Sequence, residues 1–269
     1  MTNKVGLALS GGGARGYAHI GALRALERHG IPIDFIAGTS AGSFAGAAYS
    51  TGLSVDEIIH FSGKLSWYSI AGFSYSARGI LSNAGIETFI KQNFPVSRFE
   101  DLKIPFAAVC CDLETGDEVI LKEIGDLAVA VRASCAVPGV FAPVATETGR
   151  HLIDGGVITP MPTRAVREMG ADVVIAIDLM ASGATFRGIP RTLVGTLFQS
   201  AMTLLRAASK SQHYHADIII EPRIAHIRPD EIRKRDEMIE LGEAAALEKI
   251  DEIRNLIEQE QPQELRLQA

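Results

Sequence analysis

The sequence is short of cysteine, of long apolar runs and of positive charge. Its three cysteines form neither the even set of a disulfide framework nor a C-x-x-C metal spacing. The richest apolar run, residues 173–177, stops at Asp178, far below the roughly 18 residues that a spanning helix needs. Lys and Arg number 26 against 32 Asp and Glu, a net charge of −6 with no basic block. These deficits argue against a disulfide scaffold, a transmembrane protein and a nucleic-acid-binding protein.

The remaining composition is that of a globular protein. Hydrophobic residues make up 47% and charged residues 22% of 269 positions. Open α/β domains often reach about 250 residues, so we expect residues 1–269 to form one domain. Only five apolar or small residues separate Lys4 from Ser10, too few for the apolar region of a signal peptide. We therefore expect a cytoplasmic location, with any membrane contact peripheral, at the inner membrane face.

Short apolar runs alternate with segments of helical spacing. Residues 5–9 lead into a glycine cluster and then a helix over 17–29, and residues 35–37 lead into Gly38-Thr39-Ser40-Ala41-Gly42 and a small-residue helix. Further elements are predicted as a hairpin of 106–111 with 119–121, strands at 171–178 and 218–221, and a helix over 191–214. This alternation predicts an α/β fold with a mainly parallel sheet that helices cover.

Two segments depart from the alternation. Residues 64–81 mix aromatic side chains with serine and glycine without a clean period, which is typical of a loop or lid. We expect this segment to lie partly exposed at the mouth of the site and to suit a lipid interface, the alternative being that Trp67 and Phe73 belong to the core. From about residue 230 an amphipathic helix is predicted, which either packs on its own domain or forms a homo-oligomer contact; its apolar positions are Leu247, Ile250, Ile253 and Ile257.

The string Gly38-x-Ser40-x-Gly42 has the form of a nucleophile elbow. A serine in such a strand-to-helix turn needs small neighbours, and its hydroxyl is presented above the sheet. Its position at a helix start also directs the positive end of the helix dipole toward charge that develops during acyl transfer. The pattern predicts Ser40 as a nucleophile, with a structural turn as the alternative.

The glycine cluster Gly11-Gly12-Gly13-Ala14-Arg15-Gly16 has two interpretations. It contains G-x-G-x-x-G, the fingerprint of a dinucleotide-binding turn. That interpretation needs an acidic residue at the end of the second strand, whereas Asp34 precedes the strand and a serine stands where it ends. Alternatively, the same glycines expose backbone N–H groups as an oxyanion hole.

Two further segments could complete a hydrolase site. Asp154-Gly155-Gly156 places a carboxylate at a predicted strand end beside residues that permit close approach, although Asp-Gly alone is also a common turn. Residues 133–141, ASCAVPGVF, either line an acyl pocket or simply pack.

The histidines offer no convincing metal site. His213 and His215 stand two apart at a helix end, with Asp217 nearby, and residues two apart point to different faces of a helix. His151 lies an odd number of positions from Asp154, so in a strand the two side chains point to opposite faces. We expect no bound metal.

Taken in order, these motifs resemble the patatin-like phospholipase family. The resemblance covers roughly residues 5–180 and is closest to the short bacterial members related to the catalytic domain of neuropathy target esterase. It implies a three-layer α/β/α fold and a catalytic dyad without histidine, in which Ser40 is the nucleophile and Asp154 the base. It also places the oxyanion donors on the loop of Gly11, Gly12 and Gly13, with Arg15 at the family's basic position.

The sequence therefore predicts a serine acyl hydrolase that acts on lipid esters through an acyl-enzyme, without metal or nucleotide cofactor. A carboxylesterase with a Ser-His-Asp triad is one alternative, with His213, His215 and His226 as candidate bases. The other is a nucleotide-binding or scaffold protein that uses the glycine loop.

Overall fold

The computed structural model describes residues 3–73, 81–183 and 189–259. Its strands are β1 Val5–Leu9, β2 Phe35–Thr39, β3 Gly72–Phe73, β4 Leu81–Ser82, β5 Phe106–Asp112, β6 Glu118–Lys122, β7 Val144–Ala145, β8 His151–Asp154, β9 Val173–Ile177 and β10 Ile218–Ile220. Its α-helices are α1 Tyr17–Arg28, α2 Ala41–Ser50, α3 Val55–Ser62, α4 Trp67–Ile70, α5 Ala84–Asn93, α6 Leu127–Ser134, α7 Thr163–Glu168, α8 Leu193–Gln212, α9 Arg235–Leu247 and α10 Ile250–Glu258. Within these ranges no helix is long and apolar enough to cross a membrane.

The main sheet has the strand order β10-β9-β1-β2-β5-β8-β7, with β6 paired to β5. The strands β10, β9, β1, β2 and β5 run parallel to one another, whereas β6 and β8 each pair antiparallel with β5, and β7 pairs antiparallel with β8. This arrangement confirms the mainly parallel sheet expected from the alternating pattern. The carboxyl ends of the central strands consequently meet at one edge, where ligands bind in open α/β sheets.

Helices cover both faces of the sheet. Alternate residues of β1 point to opposite sides, so that Val5, Leu7 and Leu9 join a large cluster with several helices, while Ala8 joins a smaller cluster with α7. Hydrophobic residues are buried in both layers, with exposed fractions near zero in the strands. The predicted three-layer α/β/α architecture is confirmed.

The C-terminal segment is broken where the sequence predicted one continuous helix. Glu248 and Lys249 separate α9 from α10, and Leu247 at the break is 46% exposed. Ile250 and Ile253 are buried and belong to the main core cluster, so this segment packs on its own fold.

The predicted lid lies only partly within the described residues. Its first part forms α4 and one strand of the β3–β4 hairpin, and positions 74–80 lie outside the described residues. Leu65 and Ile70 line the cavity described below, whereas Tyr68 is 97% exposed. Contact of this segment with lipid stays a prediction.

Candidate active site

Ser40 stands in a strained turn between β2 and α2. Its φ of 54° lies in the left-handed region that side chains other than glycine rarely adopt. The flanking glycines are obligatory, since a Cβ on Gly38 would lie 2.4 Å from the carbonyl oxygen of Gly42, and a Cβ on Gly42 would lie 2.1 Å from that of Leu9. The geometry is that of a nucleophile elbow, as the Gly38-x-Ser40-x-Gly42 spacing predicted.

The sheet register brings Asp154 beside this elbow. Thr39 is level with Val109 on the neighbouring strand β5, and Cys110 is level with Asp154 on the antiparallel strand β8. Ser40, one residue beyond Thr39, therefore faces Asp154 across the width of β5. Gly155 permits this approach, because a Cβ there would lie 2.3 Å from the carbonyl oxygen of Val109.

The Asp154 carboxylate accepts a hydrogen bond from the Gly156 N–H at 2.7 Å, and the Ser40 hydroxyl lies near this carboxylate across β5. Burial raises the pKa of Asp154 from its ordinary value near 3.8 to about 6, and the neighbouring Ser40 hydroxyl and Gly156 N–H oppose a larger rise. A carboxylate with a pKa near 6 is ionised at neutral pH and is a better base than an exposed aspartate.

Ser134 anchors the backbone of the elbow, a contact that the sequence analysis did not anticipate. The N–H of Ser40 donates to the Ser134 hydroxyl at 2.9 Å, and that hydroxyl donates to the carbonyl oxygen of Val109 at 2.6 Å. Ser134 is fully buried in the segment ASCAVPGVF. A polar residue among small apolar ones could have marked Ser134 as a residue with a specific hydrogen-bond role. The sequence gives no sign of its partner, because Ser40 lies 94 positions away along the chain.

The glycine loop follows β1 at the same edge of the sheet. The N–H groups of Gly12 and Gly13 have no hydrogen-bond acceptor among the described residues, and Gly13 lines the cavity that contains Ser40. Gly13 has a φ of 61°, and a Cβ there would lie 2.7 Å from the carbonyl oxygen of Pro229. Two unpaired N–H groups in a loop beside the serine can bind an oxyanion.

Two of the expected oxyanion residues have other partners. The N–H of Gly11 donates to the carbonyl oxygen of Pro160 at 3.0 Å and is occupied. The Arg15 side chain is only 2% exposed, and it donates to the carbonyl oxygens of Ile227 at 2.8 Å and Gly183 at 3.1 Å, and also to those of Leu179 and Ala225. In this structure the Gly11 N–H and the Arg15 guanidinium thus have partners away from Ser40, and a role for either in the oxyanion hole stays a prediction. Arg15 instead connects the glycine loop to the segments that follow β9 and β10.

The histidines considered as triad bases lie elsewhere. His213 is paired with the buried Asp178, its Nε2 lying 2.7 Å from Oδ2, and His226 is paired with Glu237 at the surface. No histidine is among the described residues that line the Ser40 cavity. Groups of three or more potential metal ligands are likewise absent from the described ranges.

The dinucleotide interpretation fails on the position of Asp34. Its carboxylate accepts a hydrogen bond from the N–H of Val5 at 2.7 Å, at the start of β1. The glycine loop follows the opposite end of the same strand, so Asp34 and the loop lie at opposite edges of the sheet. A carboxylate there cannot bind a ribose whose phosphates rest on the loop.

An apolar cavity of about 170 Å³ extends from Ser40. Residues 133–141 contribute Cys135, Val137 and Phe141 to its wall, which favours the acyl-pocket interpretation of that segment over simple packing. The rest of the wall is almost entirely apolar and includes Tyr17, Ile20, Phe44, Ala48, Ile58, Phe61, Leu65, Ile70, Ile86 and Ile232. Such a wall accepts a hydrocarbon chain and offers little to a polar ligand.

Comparison with known proteins places this geometry in a family. A family profile described as patatin-like phospholipase matches residues 7–167. An uncharacterised NTE family protein of Mycobacterium tuberculosis is 40% identical over 184 residues, which cover 67% of this chain and 50% of the relative. Patatin-like phospholipase domain-containing protein 7 of Rattus norvegicus is 37% identical over 186 residues, 66% of this chain and 14% of the relative. The chain thus matches half or less of the length of either relative.

A solved structure, VipD from Legionella pneumophila, resembles the fold with a TM-score of 0.65 at 15% sequence identity, covering 94% of this chain and 67% of VipD. This likeness agrees with the α/β/α layers described above. The profile match extends over more than half of the sequence and includes both Ser40 and Asp154. The chain belongs to the patatin-like phospholipase family.

Proposed function

We propose that the protein hydrolyses carboxylic esters of lipids through a Ser40–Asp154 dyad and an acyl-enzyme. The observation that carries this proposal is the convergence of Ser40, in its strained turn, and the buried Asp154 carboxylate at the edge of an apolar cavity, close enough for the Ser40 hydroxyl to lower the pKa of Asp154. The names of its relatives, patatin-like phospholipases, support a lipid ester as the substrate class.

In the first half-reaction the Ser40 oxygen attacks the ester carbonyl carbon while its proton passes to Asp154. The carbonyl oxygen becomes an oxyanion, which the N–H groups of Gly12 and Gly13 are placed to hold. Collapse of this intermediate expels the alcohol part of the lipid, which takes the proton from Asp154. The acyl chain stays bonded to Ser40 and occupies the apolar cavity.

In the second half-reaction a water molecule attacks the acyl-enzyme. Asp154 accepts the proton of the water, the same N–H groups hold the second oxyanion, and Ser40 regains its proton as the fatty acid leaves. Every proton therefore moves through one carboxylate, and the scheme needs no histidine, metal or nucleotide. The Ser-His-Asp alternative lacks a histidine at the cavity wall within the described residues.

The test is a panel of phospholipids, lysophospholipids and neutral esters assayed with the wild-type protein and its Ser40→Ala variant. We expect the wild type to release fatty acid from at least one lipid, and a fluorophosphonate probe to label it but not Ser40→Ala. Equal fatty-acid release by the two proteins would contradict the proposal, as would failure of the probe to label the wild type.

A chelator experiment examines the expected independence from metal. We predict that EDTA leaves lipid hydrolysis unchanged, because Asp154 and the loop N–H groups supply the proton transfer and oxyanion binding that a Lewis acid would otherwise supply. The measurement is the initial rate before and after dialysis against EDTA. A loss of rate that calcium or zinc restores would refute this prediction.

A further inference from the structure

The helix α8 carries a row of leucines on its exposed face. Leu193, Leu197 and Leu204 are 76%, 61% and 71% exposed. At about 100° of rotation per residue, the three fall within roughly 40° of one another around the helix axis. An amphipathic helix ordinarily turns such an apolar row toward the core, whereas this row faces away from the protein.

The opposite side of α8 is fixed to the edge of the sheet that carries the site. Ser209 donates to the Asp178 carboxylate at 2.8 Å, and the Arg206 side chain donates to the carbonyl oxygen of Ala181 at 2.9 Å. Asp178 follows β9, and the last residues of β9 and β1, Ile177 and Leu9, are level in the parallel pair. The Asp178 carboxylate, which holds α8 through Ser209, therefore lies at the same end of the sheet as the start of the glycine loop.

Further apolar side chains connect the α8 surface to the catalytic segment. The Gln212 side chain at the end of α8 donates to the carbonyl oxygen of Ile158 at 3.1 Å. Val157 and Ile158, which follow Asp154-Gly155-Gly156, are 50% and 39% exposed. Exposed apolar surface therefore occurs both along α8 and beside the Asp154 loop.

The charge around α8 is opposite in sign to that of the whole protein. Residues 179–216 contain four Lys and Arg residues and no Asp or Glu, although the chain has a net charge of −6. Arg191 precedes the leucine row by two residues, and Lys210, near the end of α8, lies roughly 100–140° around the helix axis from the row; both are exposed. An exposed apolar row with basic side chains beside it is typical of helices that lie in the interface of anionic membranes.

We propose that the exposed face of α8 formed by Leu193, Leu197 and Leu204, with Arg191 and Lys210 beside it, docks the protein on anionic lipid bilayers. The leucines enter the boundary between headgroups and acyl chains, and the basic residues contact anionic headgroups. The inference deepens the proposed function, because docking through α8 brings the edge of the sheet that carries Ser40 to the lipid. Membrane binding and ester hydrolysis are nevertheless measured separately.

The test uses Ser40→Ala protein, which leaves the vesicle lipid intact. Flotation is measured with vesicles of phosphatidylcholine alone and with vesicles containing about one third phosphatidylglycerol. The docking variant carries Leu193→Gln, Leu197→Gln and Leu204→Gln, since glutamine keeps the helix propensity of leucine to within tenths of a kcal/mol. The matched control replaces three other exposed apolar residues in the same way, Leu113, Ile124 and Leu247.

We expect the parent to float with anionic vesicles, the docking variant to lose at least about tenfold in partitioning, and the control variant to bind like the parent. High salt should weaken the binding of the parent, because it screens the basic residues. With Ser40 intact, the docking substitutions should leave turnover of a short water-soluble ester unchanged, which also reports an intact fold.

Three results would overturn the inference: absence of binding by the parent, equal binding by the docking variant, or equal loss in the control. Conversion of a parent dimer to a monomer by the docking substitutions, with vesicle binding retained, would instead assign the face to a second copy of the chain. A failure of the proposed function can be told apart from a failure of the docking proposal. If only the proposed function is wrong, the soluble ester is not hydrolysed, but the parent still binds anionic vesicles and the docking variant still loses that binding.

Discussion

Asp154 determines the pH range in which the proposed reaction can proceed. Its carboxylate is 5% exposed, and burial raises its pKa to about 6. Only the ionised form can accept the proton of Ser40, so the active fraction grows tenfold per pH unit well below the pKa and levels off above it. The burial that makes Asp154 a stronger base also lowers the stability of the folded protein when the carboxylate is charged.

The first prediction concerns the pH dependence of activity. We expect kcat/KM for a soluble ester to rise with pH and to level off, with a midpoint at about 6. Because a carboxyl group ionises with little enthalpy and an imidazole with much, the midpoint should hardly move with temperature. An acid limb near pH 4, or one that shifts with temperature as a histidine does, would argue against Asp154 as the base.

The second prediction concerns stability. In the folded state Asp154 has a pKa of about 6, and in the unfolded state a value near 3.8, so between these pH values the folded protein binds more protons. The free energy of unfolding therefore falls as pH rises through this range, by roughly 3 kcal/mol at about 1.4 kcal/mol per unit. The variant Asp154→Asn lacks this penalty. Urea unfolding of both proteins at pH 4 and pH 7 should show the variant gaining relative stability at pH 7. An equal difference at the two pH values would contradict the raised pKa.

At the scale of the elements, features formed by residues close together in the sequence could be predicted from it. Contacts between residues far apart in the sequence could not. The elbow needs only the glycines two positions before and after Ser40, and the strand-helix alternation is likewise local. The hydrogen-bond partners of Gly11 and Arg15 come from residues 160, 183 and 227, and contacts between positions so far apart leave no local pattern in the sequence. The anchoring of Ser40 by Ser134 was missed for the same reason.

The contact between α1 and α9 is a second feature hidden from the sequence. A Cβ on Gly21 would lie 1.8 Å from the carbonyl oxygen of Ile239, and one on Gly242 would lie 1.9 Å from that of Ala18. The two helices touch backbone to backbone at these glycines. Because α1 begins directly after the Gly13–Gly16 turn, α9 supports the helix next to the glycine loop.

The third prediction tests this helix contact. Alanine in place of glycine normally stabilises a helix by up to about 1 kcal/mol, but in Gly242→Ala the new methyl meets a backbone carbonyl that cannot move aside. We expect a net loss of roughly 1–3 kcal/mol, measured by urea unfolding. Gly72→Ala is the control, since among the described residues its methyl would find no atom nearer than 4.0 Å. A Gly242→Ala protein as stable as wild type would show that the helices can separate without cost.

At the scale of the whole molecule, the parallel sheet assembles the site from distant parts of the chain. The glycine loop follows β1, Ser40 follows β2, and Asp154 ends β8, while β1 and β2 are neighbours and only β5 separates β2 from β8. Helices on both faces fix these strands, and the cavity opens beside the point where the three segments meet. The sequence motifs specified each segment, and the sheet order explains why they converge.

The most direct test of this account compares acyl hydrolysis by Ser40→Ala, Asp154→Asn and the double variant. Each single variant should lose roughly 10²–10⁴-fold in kcat, and the double variant should be hardly worse, because groups that act as a unit are not additive. Alanine at His151, His215 or His226, and glutamine at His213 to keep a donor for Asp178, should leave most of the turnover. Retention of activity by Asp154→Asn, or its loss in one of these histidine variants with the fold intact, would contradict the dyad.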